Sequence, residues 1–450
     1  MGTSNPRGPF VWVFLPGRGE PVVAGVLGRS TTAEGMAFRY GNSYLRRDDA
    51  MSLGPDLPLS ERTYPPALGH RMPSTIRDAM PDSWGRHVIN RELGLDLEDS
   101  VPDARYMLES GSDRVGALDF QASPTEYVPR VGGGALTEIA DSAVAVEEDH
   151  PRGADLGFAI RNALTAAGGS QPKAYVRLEG REWLAKFQTE YDRTSPLIKA
   201  ERAALYVAEK VGLDVPAAKL VHVDGRGMAL LTERFDRQSI PTPANDAAHQ
   251  LSRRQVLSGF TVAEDHRPVG ASYPDLITRL RVLSVDAASV GTELFRRLAF
   301  RIAMRIDDDH MRNLAFFWDG QHASFTPAFD LSPELTATTP HGLTDLGGGS
   351  QEFTLSALEQ RHGFYHLSAA QARDIIERTL DAVIAHRPDA ADVAQMVQWE
   401  RQALLTATAS PQLIGRAPRT LSPTRPAPRQ PRDRQGRFDH AQPSPPEISP

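Results

Sequence analysis

Apolar residues recur along this chain at two spacings, and the places where the spacing changes mark out its elements. Short apolar runs or two-residue alternation predict strands at Phe10–Phe14, Val22–Leu27, Ala174–Leu178, Trp183–Phe187, Lys219–Val223, Met228–Thr232, Leu314–Trp318 and Ala323 to Phe329. Turn-forming residues separate neighbouring runs: Glu179-Gly180, Asp224-Gly225-Arg226-Gly227 and Asp319-Gly320. Each pair of runs therefore reads as an antiparallel hairpin. Helical spacing predicts a helix from about Ile198 to Val211, with Ala204, Leu205, Ala208 and Val211 as its buried stripe. A second helix is predicted over 293–305, where Leu294, Phe295, Leu298, Ala299, Ile302 and Ala303 share a face, and a third over Ala369–Ala385.

The predicted 293–305 helix delivers a run of unusual polarity, Asp307-Asp308-Asp309-His310-Met311-Arg312-Asn313. The hairpin that follows carries Asp330 back toward Asn313. An acid, an amide five positions later and a second acid across a hairpin make an acceptor-rich pocket of the kind that hydrated Mg²⁺ and a phosphate chain require. On that reading Asp308 accepts the proton of a substrate hydroxyl, Asn313 and Asp330 hold Mg²⁺, and His310 orients the loop. The plain alternative is a solvated acidic turn at a helix end.

A second constellation lies upstream. Gly168-Gly169-Ser170-Gln171-Pro172-Lys173 leads into the first strand of a hairpin. Glycines let backbone N–H groups approach phosphate, and Lys173 adds a positive charge. In the second strand Lys186 alternates with Ala185 and Phe187, so it points to the opposite face. A lysine there is costly to bury unless paired. Its candidate partner is Glu201, since a strand lysine and a glutamate on the next helix form the ion pair that positions nucleotide phosphates in kinases. The alternatives are a lysine whose head reaches water and a merely flexible glycine turn. After the Met228–Thr232 strand, Glu233-Arg234-Phe235-Asp236-Arg237 forms a charged, aromatic connector. Backbone groups around Glu233 and Phe235 would read an adenine edge; a capped surface strand end is the bland reading.

The order of glycine loop, strand lysine, helix glutamate, connector, acidic loop and second aspartate resembles the HipA family of bacterial toxin kinases. The matching stretches are Pro81-Asp-Ser-Trp-Gly-Arg86, Arg105 through Leu118, Gly169-Ser-Gln-Pro-Lys-Ala174, Ala185-Lys-Phe187, Val211-Gly-Leu-Asp-Val-Pro216, Glu233 through Arg237, Asp308 through Asn313 and Phe329-Asp-Leu331. The resemblance covers roughly residues 10–400. It implies an α+β, two-lobed protein-kinase-like fold with a β-rich N-terminal extension and a mainly helical C-terminal lobe. It implies a serine/threonine kinase that uses ATP and Mg²⁺, with Asp308 as catalytic base, Lys186 on phosphate, and Asn313 and Asp330 as metal ligands. Gly168, Gly169, Ser170, Lys173, Glu201, Glu233, Phe235 and His310 complete the expected ATP site. It further implies a HipB-like helix-turn-helix antitoxin, operator DNA reached through that antitoxin, and a protein substrate of the aminoacyl-tRNA synthetase kind.

Two departures stand out. The family often carries a serine before its glycine loop whose autophosphorylation silences the enzyme, and here the aligned residue is Ala166, flanked by Thr165 and Ser170 as alternative acceptors. Asp307 stands where the family commonly has threonine, a negative charge beside Asp308 expected to raise its pKa or recruit metal.

Composition narrows the rest. The 450 residues suffice for two or three domains, and the absence of cysteine excludes disulfides, zinc–thiolate sites and cysteine nucleophiles. No apolar run is long enough to span a bilayer and no signal-peptide layout opens the chain, so a cytoplasmic protein with no membrane partner is expected. A net charge of −7 gives no general drive toward nucleic acid. The expected organisation is an extension over 8–125, a loose connector between Val131 and Gly153, and a catalytic core over 154–410 whose N-lobe ends near 237. A tail over 416–450 carries nine prolines and seven arginines and is expected to be disordered. Two other functions stay open: a metal-dependent hydrolase using the same aspartates, and a catalytically weak co-repressor acting with an antitoxin.

Overall fold

Among the described residues up to Gly415, four sheets are present, with helices packed against them. The computed structural model describes residues 8–31, 33–95, 99–131, 135–147, 173–188, 195–240, 251–264, 272–335, 342–349 and 352–415. The expected glycine loop (Gly168, Gly169, Ser170), Thr165, Ala166 and the tail lie outside these residues.

The N-terminal sheet contains β1 (Phe10–Phe14), β2 (Pro21–Arg29), β3 (Met36–Tyr40), β4 (Thr63–Tyr64) and β5 (Leu118–Gln121), in the order β4-β3-β2-β1-β5. Short helices Ser74–Asp78, Ser83–Glu92 and Asp103–Glu109 lie between its strands in sequence. The second sheet is built from β6 (Lys173–Leu178), β7 (Arg181–Phe187), β8 (Ala218–Val223) and β9 (Gly227–Glu233), ordered β6-β7-β9-β8 and antiparallel throughout. The β6–β7 turn puts Glu179 at φ 54° and Gly180 at φ 74°, the left-handed pair that a two-residue hairpin of the right twist demands. On β7, Trp183, Ala185 and Phe187 enter one small core while Lys186 points the other way.

The expected loose connector contains a helix, Leu136–Glu147. Ile139 and Ala140 are buried in the core under the second sheet, and Leu136 packs against it. Their i, i+3, i+4 spacing is the signal that glycines and acidic residues on either side obscured.

Helix Leu197–Val211 buries Ile198, Ala204, Leu205 and Ala208, and stops at Gly212, whose φ of 85° suits a left-handed cap. A two-stranded ribbon joins β10 (Arg237–Ser239) to β11 (Leu251–Arg253). The last sheet orders β12 (Gln255–Ser258), β13 (Ala315–Trp318) and β14 (Ala323–Phe325). β14 ends at Phe325 rather than Phe329, because Pro327 has no N–H to offer a ladder and the Ala328 N–H donates instead to Asp214 O. Helices Ser289–Ala303, Ala369–Val393 and Gln398–Ala407 make the later part of the chain mainly helical. Among the described residues no helix is long and apolar enough to cross a membrane.

Candidate active site

The helix stripe of Leu197–Val211 and the alternation of β7 aim Glu201 and Lys186 at one point. Lys186 Nζ donates to Glu201 Oε1 at 2.8 Å and Oε2 at 2.6 Å, and also to Asp330 Oδ1 at 2.6 Å. Ser332 Oγ donates to Glu201 Oε2 at 3.2 Å. Asp330 sits at φ 53°, a left-handed conformation that aspartate tolerates better than most residues, and this kink turns its carboxylate inward.

One ammonium against two carboxylates, Glu201 buried and Asp330 half-buried, splits their titration. Burial pushes Glu201 above the usual carboxylate range, with Asp330 adding to it despite Lys186. Asp330 is held below that range by Lys186, against the same burial. Burial opposes the charge on Lys186, yet Asp330 and Glu201 together keep it above the ordinary lysine range. Lys173, paired in register with Lys186, is lowered by burial.

These residues line a cavity of about 400 Å³. Asn313 is on its wall, as are Glu233 and Phe235 of the connector. Leu184, Val256 and Phe329 give the cavity an apolar stretch of wall. The N–H groups of Glu233 and Arg234 already donate to Ala217 O and Glu182 O, so neither is on offer to an adenine edge. Phe235 packs on Phe317 and Phe329 with ring centroids 5.9 and 5.6 Å apart.

The acidic loop divides its labour. Asp308 is exposed, and Asn313 Nδ2 donates to its backbone O at 3.1 Å and to its Oδ2 at 3.2 Å, while Arg301 holds the same carbonyl. Asp309 is buried and anchors the loop, accepting from the N–H of Leu343 and Thr344, while Tyr273 donates to its carbonyl at 2.8 Å. His310 stacks on Phe260 at 5.8 Å and its Nδ1 accepts the Arg312 N–H, so it orients the loop. Asp307 pairs with Arg305 at 3.7 Å, and burial pushes its own carboxyl up to about 6. Among the described residues no group of three or more histidine, aspartate or glutamate side chains is arranged to hold a metal ion. One carboxylate and one amide, Asp330 and Asn313, still match the sparse protein ligand set of Mg²⁺ on a phosphate chain.

Sequence reasoning missed a second charged cluster. Arg234 donates to Asp113 at 2.6 Å and to both oxygens of Asp236 at 3.0 and 2.9 Å; Arg237 reaches Asp113 at 2.8 Å and Asp236 at 2.7 Å. Both guanidinium groups also donate to Arg114 O, and Asp236 accepts the Gly116 N–H at 2.9 Å. The connector is thus locked to the stretch before β5. Two opposite-charge motifs about 120 residues apart were the available signal.

Together these features define a kinase-like α+β fold, with the Lys186–Glu201 pair, Asp330 and Asn313 on one cavity, while Asp308 is not among the residues that line it. The chain matches the HipA N-terminal domain over residues 20–121 and the HipA-like C-terminal domain over residues 165–387. It belongs to the HipA family. It is 22% identical over 338 residues to the serine/threonine-protein kinase toxin HipA of Shewanella oneidensis, covering 69% of this chain and 72% of that one. A putative kinase of Haemophilus influenzae is 23% identical over 145 residues, 30% of this chain and 40% of the relative. Among solved structures, the Shewanella oneidensis toxin–antitoxin complex of HipA, HipB and operator DNA matches with a TM-score of 0.64 at 18% identity, over 90% of this chain and 96% of that chain.

Proposed function

We propose that this chain is a HipA-type toxin kinase that transfers the γ-phosphate of ATP to a serine or threonine hydroxyl of a protein. The observation that carries the reading is Lys186 held between Glu201 and Asp330 on a cavity that also presents Asn313. A hydrolase that used only the aspartates would have no need of the Lys186–Glu201 pair. In the proposed reaction Lys186 binds phosphate oxygens, and Glu201 fixes its direction. Asp308 accepts the proton of the attacking hydroxyl as the new O–P bond forms and the bond to the ADP oxygen breaks. Bound Mg²⁺ would supply charge neutralisation between the phosphates, held by Asn313 and Asp330.

The proposal extends to a HipB-like antitoxin and, through it, operator DNA, since the Shewanella oneidensis relative is found in such a complex. It places the protein in the cytoplasm, with an extension over 8–125 and a core over 154–410. An aminoacyl-tRNA synthetase is the proposed kind of substrate, on the family resemblance alone. Any self-phosphorylation falls on Thr165 or Ser170, because Ala166 offers no hydroxyl. Incubation of the purified chain with γ-labelled ATP and Mg²⁺ tests the reading: label should enter protein, and expression of the chain alone should arrest growth. ATP left unbound, or arrest undiminished in Asp308→Asn, would overturn it.

A further inference from the structure

One wall of the cavity comes from the N-terminal part of the chain. Asp82 caps helix Ser83–Glu92, its Oδ1 accepting the Gly85 N–H at 2.6 Å. Its other oxygen, Oδ2, is buried and accepts no hydrogen bond among the described residues. That oxygen lies 3.9 Å from Lys173 Nζ, and the two side chains are 8% and 3% exposed. Both line the cavity. On the sheet Lys173 stands directly opposite Lys186, on the same face.

A cap requires a single acceptor, which serine, threonine or asparagine supplies as well as aspartate. A buried carboxylate with one oxygen unbonded is costly, so the cap alone does not account for the charge. At 3.9 Å the Lys173 contact is an ion pair without a hydrogen bond, which directs the ammonium group without consuming one of its protons. Resting on the ATP reading above, we propose that Asp82 is a positioning residue that holds Lys173 toward the nucleotide phosphates, so that the N-terminal extension completes the nucleotide site. Among the described residues, the charged groups that act on Lys173 are Asp82, Asp330, Lys186 and Glu201, and those that act on Asp82 are Lys173, Arg312 and Arg86. After burial itself, Asp82 is the strongest influence on Lys173, and it favours the charged form.

The test uses the full chain and ATP. Asp82→Asn keeps an acceptor for the Gly85 N–H and removes only the charge. ATP dissociation constant and KM should rise about tenfold while kcat stays near wild type. Lys173→Met should do the same, and the double variant should be no weaker than either single one. Asp82→Ser, which also caps, repeats the measurement if the asparagine variant folds poorly. A fold defect would lower kcat through the active fraction and leave the ATP KM unmoved. Wild-type ATP affinity in Asp82→Asn and Asp82→Ser, alongside lost affinity in Lys186→Met, overturns the proposal and leaves the kinase reading standing. Additive effects in the double variant overturn it too. A wild-type chain that binds no ATP overturns both readings together.

Discussion

Two buried charge clusters lie close to one cavity, and they are built on opposite plans. Around Asp113 and Asp236, two carboxylates meet two guanidinium groups, and backbone N–H and C=O groups take up further bonds. Burial opposes their charge, but the arginines hold both acids below the usual range. Around Lys186 one ammonium serves two carboxylates, and they are driven in opposite directions. A balanced cluster is finished and fastens one part of the chain to another. An unbalanced one that opens onto a cavity has room for a ligand's charges, and it is there that the proposed reading puts phosphate and a cation.

The largest expected effect falls on chemistry alone. Asp308→Asn should lower phosphoryl transfer about 10²–10⁴-fold in a labelled-ATP assay, with an unchanged melting curve because the side chain is exposed. The balanced cluster should behave in the reverse way. Asp236→Ala leaves Arg234 and Arg237 buried with one partner fewer and should cost roughly 3–5 kcal/mol in urea unfolding, while the folded fraction still binds ATP.

Lys186→Met tests the asymmetry directly. ATP affinity should fall about a hundredfold by calorimetry. Its stability cost at neutral pH should stay below that of Asp236→Ala, because Glu201, already raised, can take up a proton. A cost equal to that of Asp236→Ala would place both clusters in the same structural class.

Asp307 gives a smaller effect with a defined sign. Its carboxyl sits at about 6 in the folded chain against 3.8 ordinarily, so the folded state binds the extra proton between those values. Stability should therefore fall as pH rises through that window, by on the order of 3 kcal/mol at most, with the penalty complete above it. Asp307→Asn should flatten this slope in urea titrations from pH 4 to 7. Arg181→Ala should do least: its 3.1 Å pair with Glu233 is solvent-exposed and should contribute under about 0.5 kcal/mol.

Elements with a single strong period were legible from residues alone. The β6–β7 hairpin, the Leu197–Val211 helix and the Lys186–Glu201 pair follow from alternation, a Glu-Gly turn and a four-residue stripe. What stayed hidden depends on distance along the chain. Nothing local says that Asp330 would accept a hydrogen bond from Lys186, 144 positions away, or that Asp113 would meet Arg234, 121 positions away. The three aspartates of 307–309 also look alike in sequence. Burial alone separates them: Asp308 faces solvent, Asp309 is an anchor, and Asp307 lies between. The Leu136–Glu147 helix was missed because glycine and acidic neighbours masked its short apolar face.

The arginine–aspartate lock also sets a rule for recombination between relatives. Grafting a foreign front half onto this C-terminal half, with the crossover anywhere between Gly116 and Arg234, would separate Asp113 from the two arginines that neutralise it. Such a hybrid should express poorly unless both partners come from the same parent. Crossovers that keep 113–116 and 234–237 together inherit a matched joint, so this lock, rather than the cavity, decides which halves are interchangeable.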